Sequence, residues 1–137
     1  MGACVARSLP SAEADKPPAR ATARQRKLLR LVRRYQQLLG LERWDITVTF
    51  EPDKDLAGCA ADDEYMRATL AFDLNQIPPE DDDATVRHEA LHIVLWETVR
   101  VMDKLAGRDR VARELVRAAR ERCVTLLERA PLWARLA

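Results

Sequence analysis

The sequence predicts an α+β domain. Three features carry that reading: a strict apolar–polar alternation from Trp44 to Phe50, two shorter β-prone runs after it, and apolar residues recurring every three or four positions on either side. The expected order is an N-terminal helix, a small three-stranded antiparallel sheet, a long buried helix and a C-terminal helix. A chain of 137 residues suits one domain. Its 47% apolar content permits a core, and aromatics at only 5% mean that aliphatic side chains must build it.

Residues 1–21 are rich in Ala, Pro, Arg and Ser without an apolar period and are expected to form a flexible tail, leaving 22–137 as the single domain. From Thr22, the residues Leu28, Leu31/Val32, Tyr35 and Leu38/Leu39 mark one face of a helix that stops at Gly40. Trp44–Phe50 is the first strand, ended by Pro52 and Asp53. Leu56–Ala61 is a weaker strand, and Arg67–Asp73 a third, with a hairpin around Asp62 to Tyr65. Ile77-Pro78-Pro79 and the acids Glu80 to Asp83 lead into the next helix, where negative charge suits the N-terminal dipole. These acids match no EF-hand spacing and are expected to be exposed. Ala84 to about Ala106 is apolar over much of its circumference, as expected of a buried central helix. Gly107 ends it, Asp109 caps a last helix, and Pro131 stops that helix near Ala130. Trp44, Trp96 and Trp133 are expected to pack on or over the core.

The net charge of +1 conceals an asymmetry: residues 1–43 sum to +7, 44–83 to −10 and 84–137 to +4. The basic group Arg24, Arg26, Lys27, Arg30, Arg33 and Arg34 could meet nucleic acid, but no nucleic-acid motif accompanies it. A solvated helix face is the simpler expectation, and nucleic acid is not the expected partner. Cys4, Cys59 and Cys123 fit neither a disulfide framework nor a zinc ribbon. With no apolar run of the roughly 18–20 residues that span a bilayer and no signal-peptide pattern, a cytoplasmic protein without membrane contact is expected, and a monomer.

Chemistry enters at Val86-Arg87-His88-Glu89-Ala90-Leu91-His92. Two histidines four apart on a helix project from one face on adjacent turns, so both can reach one Zn²⁺ at roughly 2.0–2.1 Å. Glu89 sits about 100° around the helix from His88, beside such a metal, where it can take a proton from water. This is the H-E-x-x-H pattern of metallopeptidases. The chain holds only these two histidines, and burying both with a carboxylate is costly unless something pairs them. A catalytic zinc needs a third protein ligand, which here must be a carboxylate, most naturally from the last helix. If that helix runs back along the first from a turn at Gly107, Glu121 stands level with His92; Glu114 and Glu128 are the alternatives, in that order. Glu114 falls level with Arg100 and is expected to pair with it. Tyr65 could donate a transition-state hydrogen bond, although an exposed turn tyrosine is the simpler reading. Cys59 is expected to be a small core residue.

The run Val-Arg-His-Glu-Ala-Leu-His-Ile-Val-Leu, preceded by a Trp-x-Ile-x-Val strand and a hairpin, resembles the small single-domain zincins, among them the minigluzincins and short phage and bacterial metallopeptidases. The resemblance covers about residues 40–130. It implies His88, His92 and Glu121 as zinc ligands and Glu89 as general base, because in such proteins a glutamate of the following helix completes the site. No clear counterpart stands in the sequence for the Tyr or His with which larger gluzincins stabilise the oxyanion. The expected function is a zinc-dependent peptidase acting on a peptide or protein, with the substrate strand added to an exposed edge at Ala68–Asp73 and a leaning towards basic peptides from the acidic middle segment. The competing expectation is a non-catalytic zinc-stabilised domain that binds protein or nucleic acid through its basic helix. Non-peptide amides are a third substrate class open to the same chemistry.

Overall fold

The structure is a computed structural model that describes residues 21–52 and 55–136. All of the expected tail except Ala21 lies outside these residues, as do Asp53 and Cys4.

Helix α1 spans Ala23–Leu38. Thr22 and Gln25 form a reciprocal capping box at its start, each side chain accepting from the other's backbone N–H. Leu28, Val32 and Tyr35 are its buried face. Gly40, at φ +68°, lets the chain reverse after the helix. The Gln36 side chain then donates to the carbonyls of Leu41 (3.1 Å) and Trp44 (2.8 Å), fixing where the first strand begins.

Strands β1 (Asp45–Thr49), β2 (Ala57–Asp62) and β3 (Arg67–Phe72) form one sheet in the order β1-β3-β2. β2 and β3 make the expected antiparallel hairpin through 63–66, where Met66 takes a positive φ of 50°. The sheet is nevertheless mixed, not antiparallel throughout, because β1 pairs parallel to β3 with Ile46 opposite Ala68. Alternation specifies which face of a strand is buried and is silent on which strand lies beside it. β3 buries Ala68, Leu70 and Phe72 on one face and takes the centre, with β1 on one side and β2 on the other. The core joins these residues to Leu28, Val32, Tyr35, Ile77, Val86, Ala90 and Ile93.

Helix α2 (Asp82–Ala106) follows a 3-10 turn at Pro79–Asp81. The sequence suggests burial along its whole length, but only the first half is covered. Val86, Ala90, Leu91 and Ile93 are buried, while Val94, Val101, Met102 and Leu105 are exposed. A 25-residue helix runs about 37 Å, against about 20 Å for six-residue strands, and its second half meets only the end of β2, where Arg100 pairs with Asp63, and helix α3. Gly107, at φ +59°, closes it. Helix α3 (Arg110–Glu128), capped by the Asp109 side chain on the Ala112 N–H, packs back along α2. A short helix α4 (Leu132–Leu136), absent from the sequence reading, follows Pro131 and lays Trp133 edge-on to Tyr35.

The acidic start of α2 differs most from expectation. Asp82 is 1% exposed. Arg24 clamps it at 2.8 Å and donates also to the carbonyls of Leu74 (2.9 Å) and Ile77 (2.6 Å), so one guanidinium joins α1, the segment after β3 and the start of α2. Asp83 accepts from the Tyr35 hydroxyl at 2.9 Å and pairs with Arg87 at 3.3 Å. Burial of a carboxylate is tolerable only with such partners, and the fixed start of α2 sets the position of its next two turns.

Candidate metal centre

Those two turns carry His88, Glu89 and His92. Their ligating atoms lie within 4.8 Å of one another, and this group could hold a metal ion. The Nε2 atoms of His88 and His92 are 3.2 Å apart. Two ligand atoms sharing one tetrahedral zinc stand about 3.3–3.4 Å apart, so the spacing needs almost no adjustment.

Helix α3 brings the carboxylates. Glu121 straddles the histidine pair, with Oε1 at 3.5 Å from His92 Nε2 and Oε2 at 3.7 Å from His88 Nε2. Among the described carboxylates it therefore addresses both Nε2 atoms, as the expected level of α3 against α2 requires. Glu128 sits on the other side of the His88 ring and accepts from Nδ1 at 2.6 Å. A carboxylate accepts there, so Nδ1 carries a proton, and Nε2 is the ring nitrogen that faces Glu121 and His92. Glu114 is remote from the pair: it holds Arg110 at 3.2 Å, and Arg100, its expected partner, holds Asp63 at 2.9 Å. The reason is reach, since Arg110 lies one turn away on the same helix while Arg100 turns towards β2.

Comparison with protein-family models, with curated proteins and with solved structures finds no match.

The electrostatics of the centre follow from its burial. Glu89 is 7% exposed, and desolvation raises its pKa from the usual 4.5 to about 7; nearby His88 opposes the rise, while Glu121, Asp55 and Glu128 add to it. Desolvation also lowers the pKa of His92, favouring the neutral imidazole that a metal requires. Cys59, on β2, lies close enough to Glu89 for its charge to be felt, and burial chiefly, with Glu89 second, pushes the thiol up to about 12. It is half-buried against the core rather than ionised. Tyr65 is 65% exposed, with the Arg67 guanidinium 5.9 Å from its ring centre, in keeping with a surface turn.

Two features were not read from the sequence. The orienting position of Glu128 had a signal: it falls seven residues after Glu121, two turns along the same face of α3. Trp96 had none. Trp44 and Trp133 pack against the core, but Trp96 lines a cavity of about 370 Å³ along α2. A larger cavity, about 690 Å³, lies beyond Glu128 beside Tyr35 and Trp133, and neither histidine lines it.

Proposed function

We propose that this chain is a zinc-dependent peptidase of zincin type. The reading is supported above all by the convergence of His88 Nε2, His92 Nε2 and the Glu121 carboxylate within 3.7 Å, with the buried Glu89 alongside. His88, His92 and Glu121 would hold the ion. Two neutral imidazoles and a carboxylate are the donor set of a catalytic rather than a structural zinc site. Bound there, zinc would supply Lewis-acid polarisation of a carbonyl and acidify a water.

Glu89 is the proton carrier. Its buried carboxylate stands beside the histidine pair, where it would take a proton from water and return it to a leaving amine. Glu128 holds the His88 ring in its orientation. The substrate edge is β2 rather than Ala68–Asp73. Both sides of β3 are occupied, by β1 and β2, so it has no edge to offer; β2 pairs only with β3 and passes Glu89 at Cys59. An extended peptide added to β2 would lie across the centre.

The basic-helix alternative loses support because Arg24 and Lys27 are turned onto Asp82. The experiment is metal analysis of the dialysed protein followed by hydrolysis of a mixed peptide library. About one zinc per chain and cleavage abolished by Glu89→Gln are expected. Cleavage by Glu89→Gln at the wild-type rate would overturn the assignment.

A further inference from the structure

We infer that the cavity along α2 is a subsite for a long cationic side chain of the substrate, lysine or arginine; this deepens the peptidase reading and rests on it. The cavity continues the histidine face of α2. Trp96 and Val99 follow His92 by four and seven residues, so they line the same face about 6 and 10 Å further on. The other two walls also begin at the metal centre. Arg120, next to Glu121 in α3 and 3.4 Å from its carboxylate, borders the cavity on one side. On the other, β2 runs from Cys59, beside Glu89, to Ala61 and Asp62 at the cavity. A peptide paired with the β2 edge and crossing the centre would therefore send a side chain into this space.

The lining chemistry selects the side chain. Three of its five charges are already engaged: Arg100 holds Asp63 at 2.9 Å, and Arg120 reaches Glu121 at 3.4 Å through its terminal nitrogen while its Nε has no partner among the described residues. Asp62 and Asp103, both exposed, line the cavity together with Trp96 and Val99. Apolar lining beside two carboxylates suits an aliphatic stem with a cationic head. A glutamate would meet two carboxylates, and a neutral chain would leave both without a counter-charge. The volume of about 370 Å³ accommodates a lysine or arginine side chain with its water.

The test is binding, followed by NMR of the Trp96 indole N–H in the full-length protein, with and without added zinc. The probes are Ala-Lys-Ala, Ala-norleucine-Ala and Ala-Glu-Ala. The lysine peptide should shift the Trp96 signal and bind at least tenfold more tightly than the norleucine peptide, with the glutamate peptide weakest. Asp62→Asn with Asp103→Asn, at two exposed positions, removes both charges while leaving an amide oxygen to accept from the Glu64 N–H as Asp62 does, and should erase the lysine preference. Equal binding of lysine and norleucine, a lysine preference that survives the double substitution, or no shift at Trp96 would each overturn the subsite. Lysine-selective binding without any cleavage by zinc-loaded protein would sink the peptidase reading and leave the subsite standing. Cleavage without lysine preference would do the reverse.

Discussion

Glu128 Oε2 accepts a 2.6 Å hydrogen bond from His88 Nδ1, on the side of the ring opposite the Nε2 that faces His92 and Glu121. The two glutamates of α3 therefore have separable effects on metal binding. Glu128→Gln should keep one metal per chain but weaken affinity by roughly 10–100-fold, because the ring is no longer held by a carboxylate. Glu121→Ala should lose tight binding outright. Competition against a chromophoric chelator reads both, and equal losses in the two variants would show that Glu128 is a ligand as well.

Glu89 is expected to separate metal binding from turnover. Glu89→Gln removes the proton carrier without touching either Nε2, so the metal content should hold while the rate of peptide hydrolysis falls by about 10²–10⁴-fold. Stopped assays on metal-quantified preparations measure the two together.

The same residue should govern how stability of the metal-free protein depends on pH. The folded-state pKa of Glu89 is raised from 4.5 to about 7, so its stabilising contribution is complete below about 4.5 and is lost as pH rises through about 7. His92 acts in the opposite sense: its folded pKa is lowered from 6.5, so stability falls as pH drops below that value. Urea melts of chelator-treated protein should show Glu89→Gln more stable than wild type at pH 8, by up to about 3 kcal/mol, with the difference gone near pH 4.5. A constant difference across that range would contradict a raised Glu89 pKa.

Arg24 is expected to matter more for stability than any other basic residue of α1. Arg24→Ala leaves Asp82, 1% exposed, with only Lys27 at 3.4 Å, and frees the carbonyls of Leu74 and Ile77. A loss of about 3 kcal/mol in chemical denaturation is expected, against roughly 0.5 kcal/mol or less for the exposed Arg30→Ala. Adding Asp82→Asn to Arg24→Ala should recover part of the loss, because the orphaned charge is then gone.

Cys59 and Cys123 should differ in reactivity. Cys123 is exposed, whereas the Cys59 thiol is raised to about 12 and is half-buried. In a Cys4→Ser background at pH 8, iodoacetamide should label Cys123 first and Cys59 only on unfolding. Mass spectrometry of the labelled peptides decides it.

Local patterns in the sequence were enough for helices α1 to α3, for the strands and for the grouping of three side chains on one helix. The Trp44–Phe50 alternation, Gly107 and Asp109 act over a few neighbouring residues, and His88, Glu89 and His92 need only the pitch of a helix to be brought together. Even Glu121 was within reach, because a short turn between two helices converts distance along the chain into level along the axis. Tertiary structure decided whatever depends on neighbours distant in sequence. It placed β3, expected at an edge, at the centre of the sheet, since burial on one face leaves the order of strands open. It buried Asp82, because Arg24, 58 residues earlier, arrives with a compensating charge. It left Val101, Met102 and Leu105 of α2 exposed, because the sheet is shorter than the helix. It also set Trp96, expected to pack on or over the core, in the lining of a cavity along α2, for hydrophobicity predicts that a side chain prefers cover and cannot say whether cover is there.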